Sequence, residues 1–362
     1  AALEGLILCG LAIPGRTDYF NVALRTYCRE LENQILPDGG HTSRSPGTLF
    51  NILMGMMMVR SALTSARQEI PFEISTAIER AALMIKLFRH GDGGLALFHH
   101  TTEQIPVLLD AVLNQADVRR TLKSANVSGY ERAIQGRSLL ILDAGQPAEA
   151  PTSHAGTLAF EFSSGKDRLI TNCGCYRGTG PWRAVLASTA AHATLGINDT
   201  NSTEFIASQT AARRIKRRPE YVTVTRTEGS GSTRLDARHD GYRDLCGAVH
   251  TRSLILEDAG ETLAGEDKLT GLKTRINYSI RFHLHPGVQA SMTQDGQAVL
   301  LRLPSGTGWR FKFDGPAALT LEASVYSGDG ATQRRSQQIT LTGQADSHVQ
   351  ISWKLARERA QK

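Results

Sequence analysis

Two hydrophobic periods divide this chain. Through residues 1–123 apolar positions recur at helical spacing, and after about residue 127 they alternate with polar ones. In PFEISTAIERAALMIKLFRH, Ile74, Ile78, Ala81 or Ala82, and Ile85 share one helix face, and Pro71 suits a first turn. In SPGTLFNILMGMMMVRSAL, Ser45 is placed to cap and Pro46 to open the helix, with Leu49, Leu53, Met56 and Leu63 running down a face. The methionines at 54–58 read as flexible core filler. In the second part, TLAFEF (157–162) sets Leu158, Phe160 and Phe162 against Ala159 and Glu161. TRINYSIRFHLH (274–285) alternates Ile276, Tyr278, Ile280, Phe282 and Leu284 with Arg275, Asn277, Ser279, Arg281, His283 and His285. GWRFKFDG (308–315) and HVQISWKL (348–355) repeat the pattern, and Asp295-Gly296 and Asp314-Gly315 mark turns. One buried and one polar face over many short strands predicts antiparallel sheets packed as a sandwich. Helices first and strands second make an α+β chain of two domains, expected at 1–125 (helical) and 126–362 (β-sandwich), with no long helix between 220 and 350.

A length of 362 residues agrees with two domains, and 41% hydrophobic with 21% charged residues is ordinary for a globular protein. No apolar run is long enough to span a membrane. The opening AALEGLILCGLAIPGR lacks a Met and a basic leader and reads as the middle of a helical segment, so a fragment or a mature chain is expected. The net charge of +6 is modest but clustered, as in RRIKRRPEY (213–221), which suits either phosphate, acidic polysaccharide or anionic lipid, or simply a solvated face. No helix-turn-helix, zinc-finger or RNP-like signature points to nucleic acid. The five cysteines are scattered and odd in number, so they are not a disulfide framework. The CxC of NCGCY, Cys173 and Cys175, has no second pair to complete a metal site and reads as buried thiols.

Candidate chemistry sits in polar loops. PDGGHTSRSPGT (37–48) and FRHGDGGLALFHH (88–100) each join helix to helix, and each is glycine-rich with His, Asp and Arg. Two such loops at one rim of a helical layer make the floor of a cleft. DGG alone is explained by helix ends needing positive φ, but that does not require Arg44 or His41. Arg44 is a candidate fork for a substrate carboxylate and His41 the nearest base, with Asp38 beside them; the opposing reading makes Asp38 a helix cap or a partner of Arg44. His154, Asn172 and His192 each stand at a strand end and together form a candidate ligand set.

The order SHAG, LAFE, RLI, NCG, AHATL, HDGYRDLCGAVHTR, RFHLHPGV and GWRF resembles the heparinase II/III-like family, and PDGGHTSRSP and FRHGDGGLALF resemble the α-toroid part of bacterial members. The resemblance covers nearly the whole chain. It implies a partial α/α-toroid followed by an antiparallel β-sandwich, an acidic, uronate-containing polysaccharide as partner, cleavage by β-elimination, and a periplasmic or envelope location. It implies a zinc ion held by His, Asp and His, where His154 and His192 match the histidines and Asn172 stands in the aspartate's place, a poor ligand for zinc. The catalytic set departs from the family. Thr48 and Leu49 occupy the region of its Tyr-His pair, and Thr152 the position of a further His. The candidate catalytic set is therefore His41, Arg44, Tyr242 and His239, with His250 nearby in sequence, and the candidate substrate-binding set is Asp38, His90, Asp92 and Arg183. Three functions fit: a lyase with a rearranged catalytic set, which is the leading reading; a non-catalytic envelope protein that binds such a glycan; and another enzyme on the same scaffold.

Overall fold

The computed structural model describes residues 1–15, 17–206 and 214–358. Five helices come first: α1 (Ala2–Ala12), α2 (Thr17–Gln34), α3 (Pro46–Ser65), α4 (Phe72–Leu87) and α5 (Pro106–Ala116). Ser45 caps α3, its hydroxyl accepting from the Thr48 N–H, and Pro46 opens the helix. Pro71 and Pro106 stand at the starts of α4 and α5. α1 packs on α2 and α3, α2 on α4, and α3 on α4 and α5. The buried stripe of α3 carries Leu49, Leu53, Met56 and Leu63, and that of α4 carries Ile74, Ile78 and Ile85. No helix among the described residues is long and apolar enough to cross a membrane.

From residue 124 onward the strands form antiparallel sheets, and among the described residues the helical turns are short, at 182–185, 189–191, 243–246 and 258–260. The first sheet is a meander of β1 (Ser124–Ala125), β2 (Tyr130–Gln135), β3 (Ser138–Asp143), β4 (Phe160–Ser164) and β5 (Asp167–Ile170). An eight-stranded sheet follows, running edge to edge through 289–292, 298–302, 308–314, 349–357, 262–270, 248–257, 232–242 and 222–229. A four-stranded sheet orders 318–326, 334–345, 276–283 and 195–197.

The inner faces of these sheets meet over aromatic packing. Trp353 stacks on Phe160 with centroids 5.6 Å apart and meets Phe282 edge-on at 4.8 Å. The first sheet serves two cores. Phe160, Phe162, Leu140 and Leu142 face the sandwich, whereas Tyr130, Leu139, Ile141 and Ala159 pack among the helices. That double burial corrects the reading of TLAFEF as half-solvated. Its polar side faces the helical layer, so Glu161 is 0% exposed.

One glycine makes the aromatic core possible. Gly265 pairs across from Trp353, and a Cβ there would lie 2.1 Å from the indole Cζ2. Gly265→Ala is therefore expected to destabilise the protein by about 1–3 kcal/mol through overpacking, read as a lower urea midpoint; an unchanged midpoint would contradict this account of the core.

Candidate functional site

The two glycine-rich helical loops do lie at one rim, and the sandwich closes over them. Arg44 leaves the first loop in a left-handed conformation (φ 59°), and His99 and His100 on the second are left-handed too, at 45° and 60°. Strained residues of this kind persist where surrounding contacts over-determine them, and here the contacts come from the sheet. The Arg44 guanidinium enters the β layer and uses all five of its N–H groups. Nε donates to Ser128 O (2.7 Å), Nη1 to Gly145 O and Gln146 O (3.1 Å each), and Nη2 to Asp143 Oδ1 and Gly129 O. Its flat face lies 4.7 Å from the Tyr130 ring centroid, and Tyr130 Oη donates back to Arg44 O. Gly145 leaves room for it, since a Cβ there would come within 2.4 Å of Nη2.

Asp143, at the end of β3, joins both loops. Its second oxygen accepts from His99 Nε2 at 2.9 Å, and His99 Nδ1 accepts from the His154 N–H at 3.2 Å. Burial alone would raise the Asp143 carboxyl, but Arg44 and His99 hold it down at about 2. His154 Nδ1 in turn faces His192 Nε2 at 3.2 Å, and His192 Nδ1 donates to Ser188 O at 2.7 Å. His100 closes the group, its ring centroid 6.0 Å from that of His154.

A second network lies alongside. His90 Nε2 donates to Glu161 Oε2 (3.0 Å), and the Ser163 hydroxyl lies 2.9 Å from His90 Nδ1. Glu161 Oε1 accepts from the backbone N–H of Leu97 and of Asn172 (3.0 Å each) and from Asn172 Nδ2 (3.2 Å). Arg168 grips Asp92 with two hydrogen bonds, of 2.7 and 3.1 Å, and donates to Leu95 O. Burial raises Asp92, yet Arg168 brings it below the usual carboxylate range.

The candidate residues are therefore placed as follows. Asp38 neither caps a helix nor pairs with Arg44: its carboxylate accepts from the N–H of Val127 and Ser128 and from the Ser128 hydroxyl, tying the loop to the start of the sheet. His41 is half-buried between Ser43 and Gln34 and is lowered by burial to about 4. Arg44 is spent on the protein's own carbonyls and Asp143, which corrects the expectation that it holds a substrate carboxylate. His90 and Asp92 are locked in the second network. Tyr242 and His239 lie elsewhere, inside the sandwich. Tyr242 Oη donates to Leu195 O, and His239 meets Gly241 N–H and His250, which leans on Asp267. None of the hydrogen bonds among the described residues joins them to residues 38–44. Arg183 is half-buried on the short turn after Pro181, beside the exposed Trp182. Of RRIKRRPEY, Arg213 lies outside the described residues. Arg217 and Arg218 donate to backbone carbonyls, and Lys216 pairs with Glu204.

The residue types do not fit a zinc ion. The two imidazoles complete a hydrogen bond with each other, and the amide oxygen of Asn172 already accepts from the Ala193 N–H at 3.0 Å. No group of three or more His, Cys, Asp or Glu able to hold a metal occurs among the described residues. Sequence reasoning missed Asp143, Glu161 and Arg168, whose carboxylates and guanidinium organise the junction. Each sits within or beside an apolar strand pattern, and a charged residue there was the available signal.

Residues 117–354 match the family described as heparinase II/III-like, C-terminal. FtsZ-localized protein C of Caulobacter vibrioides is 33% identical over 385 residues, spanning 99% of this chain and 64% of that protein. A solved heparinase III gene product superposes with a TM-score of 0.81 at 13% identity, over 98% of this chain and 59% of the other. The heparan sulfate lyase of Pedobacter heparinus gives 0.79 at 12% identity, over 99% and 60%. At such identities the likeness to the solved structures is one of fold. The chain spans about three fifths of the length of these relatives.

Two outcomes follow from the junction. Arg44→Ala leaves the Asp143 carboxylate buried beside a neutral imidazole and should cost about 3–5 kcal/mol in urea unfolding. Arg44→Lys keeps the charge but not the fork, and should recover less than half of that; full stability in Arg44→Lys would show that the carbonyl contacts contribute nothing. The second outcome is a pH profile. Burial lowers His41 to about 4 and His283 to about 3, and also lowers His90, His99, His239 and His250. Unfolded imidazoles protonate near ~6.5, so below that pH the unfolded state binds more protons than the folded one. Stability should be full above about 6.5 and fall as the pH drops toward about 4. Asp143, depressed in the fold, extends the loss from about 4 toward about 2. Urea midpoints that stay level from about pH 7 to about pH 4 would contradict these assignments.

Proposed function

The chain belongs to the heparinase II/III-like family, and we propose that in it the polysaccharide-lyase scaffold works without lyase chemistry, as a non-catalytic component of the bacterial division site. The observation that carries this reading is the closure of the candidate site. β-Elimination needs a base at the reacting C–H and a donor on the substrate carboxylate, both open to the cleft. Here Arg44 is 7% exposed with every donor used, and His41 is held by Ser43 and Gln34. Tyr242 is fully buried, and burial raises its phenol further from use as a base or acid. Thr48, Leu49 and Thr152 stand where the family resemblance implies Tyr and His.

Placement at the division site is favoured by a relative named for localisation with FtsZ and matched over 99% of this chain. The cysteines favour a reducing compartment over the periplasm. All five are free, with Cys9 exposed and Cys173 and Cys175 buried without pairing.

A second reading, binding of an acidic glycan without cleavage, is favoured by one surface. Trp182 is 37% exposed beside Arg183, and Arg177 on the same loop reaches Thr102 of the helical part at 3.1 Å. An aromatic face with neighbouring guanidinium groups suits an anionic sugar.

Incubation with heparan sulfate, chondroitin sulfate and polygalacturonate should give no ultraviolet absorbance from unsaturated uronate; an enzyme-dependent rise would overturn the non-catalytic reading. A fluorescent fusion of the full-length protein should concentrate at midcell in dividing bacteria, and an export-dependent peripheral signal would overturn the division-site placement. Glycan binding that is lost in Trp182→Ala, with no product formed, would favour the second reading.

A further inference from the structure

We infer that this chain has replaced the zinc ion of its family with a hydrogen-bonded network centred on Asn172, and that its sandwich is held together without metal. This inference stands independently of whether the protein cleaves a glycan. The three residues concerned sit at strand ends. His154 precedes β4, Asn172 follows β5, and His192 follows the turn at 189–191. A metal at such a place would cross-link the three segments. Here hydrogen bonds make the same cross-links.

The histidine pair comes first. His192 donates Nδ1–H to Ser188 O at 2.7 Å, which leaves its Nε2 as an acceptor. That nitrogen faces His154 Nδ1 at 3.2 Å, so the proton between the rings belongs to His154. A zinc ion shared by these nitrogens would have to displace that proton and then find an anionic third ligand.

The third position offers none. Asn172 acts in both directions: Oδ1 accepts from the Ala193 N–H at 3.0 Å, and Nδ2 donates to Glu161 Oε1 at 3.2 Å. Beside it, the Cys173 N–H donates to Ala191 O at 3.0 Å. His192 is thus flanked on both sides by bonds to the 172–173 segment. The remaining link, from the His154 segment to the His192 segment, is made by Ala155 N–H on Ala187 O (2.8 Å) and by the Thr189 hydroxyl on Ala155 O (2.7 Å).

The choice of amide over carboxylate follows from Glu161. Its Oε1 already collects the N–H groups of Leu97 and Asn172, and its Oε2 takes His90. An aspartate at 172 would set a second buried carboxylate against it with no proton to donate, and like charges so placed repel strongly. An asparagine gives Glu161 another donor and couples the strand ends to the helical loop at 95–97. The residue that weakens the metal site therefore strengthens the bond between the two parts of the chain.

The test uses the wild-type chain first. Protein purified from zinc-replete medium and passed through gel filtration should carry less than roughly 0.1 zinc per chain, and neither EDTA nor added zinc should move its Tm by more than about 1 °C. Retention of about one zinc per chain, or a chelator-dependent fall in Tm, would overturn the inference. Asn172→Asp, measured in EDTA, should melt lower than wild type by about 2 °C or more. A Tm equal to or above wild type in EDTA would show that the amide is not what the site requires.

Discussion

At the seam between helices and sandwich, a guanidinium and a carboxylate meet almost out of reach of water: Arg44 is 7% exposed and Asp143 1%. Removing two such charges from water costs several kcal/mol per ion, and their attraction alone does not guarantee a return. What makes the pair tenable is the completeness of its surroundings. Arg44 meets five acceptors, four of them carbonyls of the loops at 128–129 and 145–146, and Asp143 takes one donor from each helical loop. Those carbonyls lie at turns; Gly129 O also accepts from the Ala144 N–H, whereas Arg44 supplies the donors for Ser128 O, Gly145 O and Gln146 O. The pair therefore fixes the turns, and the turns fix how the first sheet sits on the helices. The left-handed backbone at Arg44 and His99 follows from the same geometry, because each turns its side chain away from its own loop and onto Asp143 at the end of β3.

Much of the architecture was legible in the periods. The residues on the stripes of α3 and α4 are those that the helical spacing selected, and the change to alternation marks where strands begin. Alternation says which side chains share a face, however, and not what that face meets. Glu161 and Ser163 alternate with phenylalanines as solvent-facing residues would, yet they are buried because helices cover that side of the sheet. The same limit governs the site. Asp38, His41 and Arg44 were recognisable as a polar loop with work to do, but the partners that decide their work are 84 to 102 residues away for Arg44 and 89 or 90 for Asp38. A local stretch cannot distinguish a guanidinium aimed into a cleft from one aimed into carbonyls.

The histidines make a related point. An imidazole in a polar loop suggests a base, but a base must be able to take up a proton where substrate is. In this chain the ring nitrogens of His90, His99, His239 and His250 are committed to a carboxylate, to a serine hydroxyl, to one another or to the backbone. Burial lowers each of these four, so they work as neutral connectors with one donor and one acceptor. Two of them end on the acidic groups Asp143 and Asp267, whose charge is already matched by Arg44 and Arg252. The arrangement repeats in the two places: arginine, aspartate, histidine, then a second histidine or a backbone N–H.

That repetition bears on the proposal that this scaffold works without lyase chemistry. Catalytic groups in a cleft stay partly unsatisfied until substrate arrives, and that incompleteness costs stability. Once substrate is no longer turned over, any substitution that completes the bonds within the protein is favoured, since nothing is lost by closing the site. Asn172 against Glu161 and Arg44 inside the sheet both complete bonds of this kind within the protein. The residues that remain recognisable along the chain are then the ones the fold needs. The polar loops hold the helices to the sandwich through Asp38, Arg44, His90 and His99, whereas Trp182 stays turned outward.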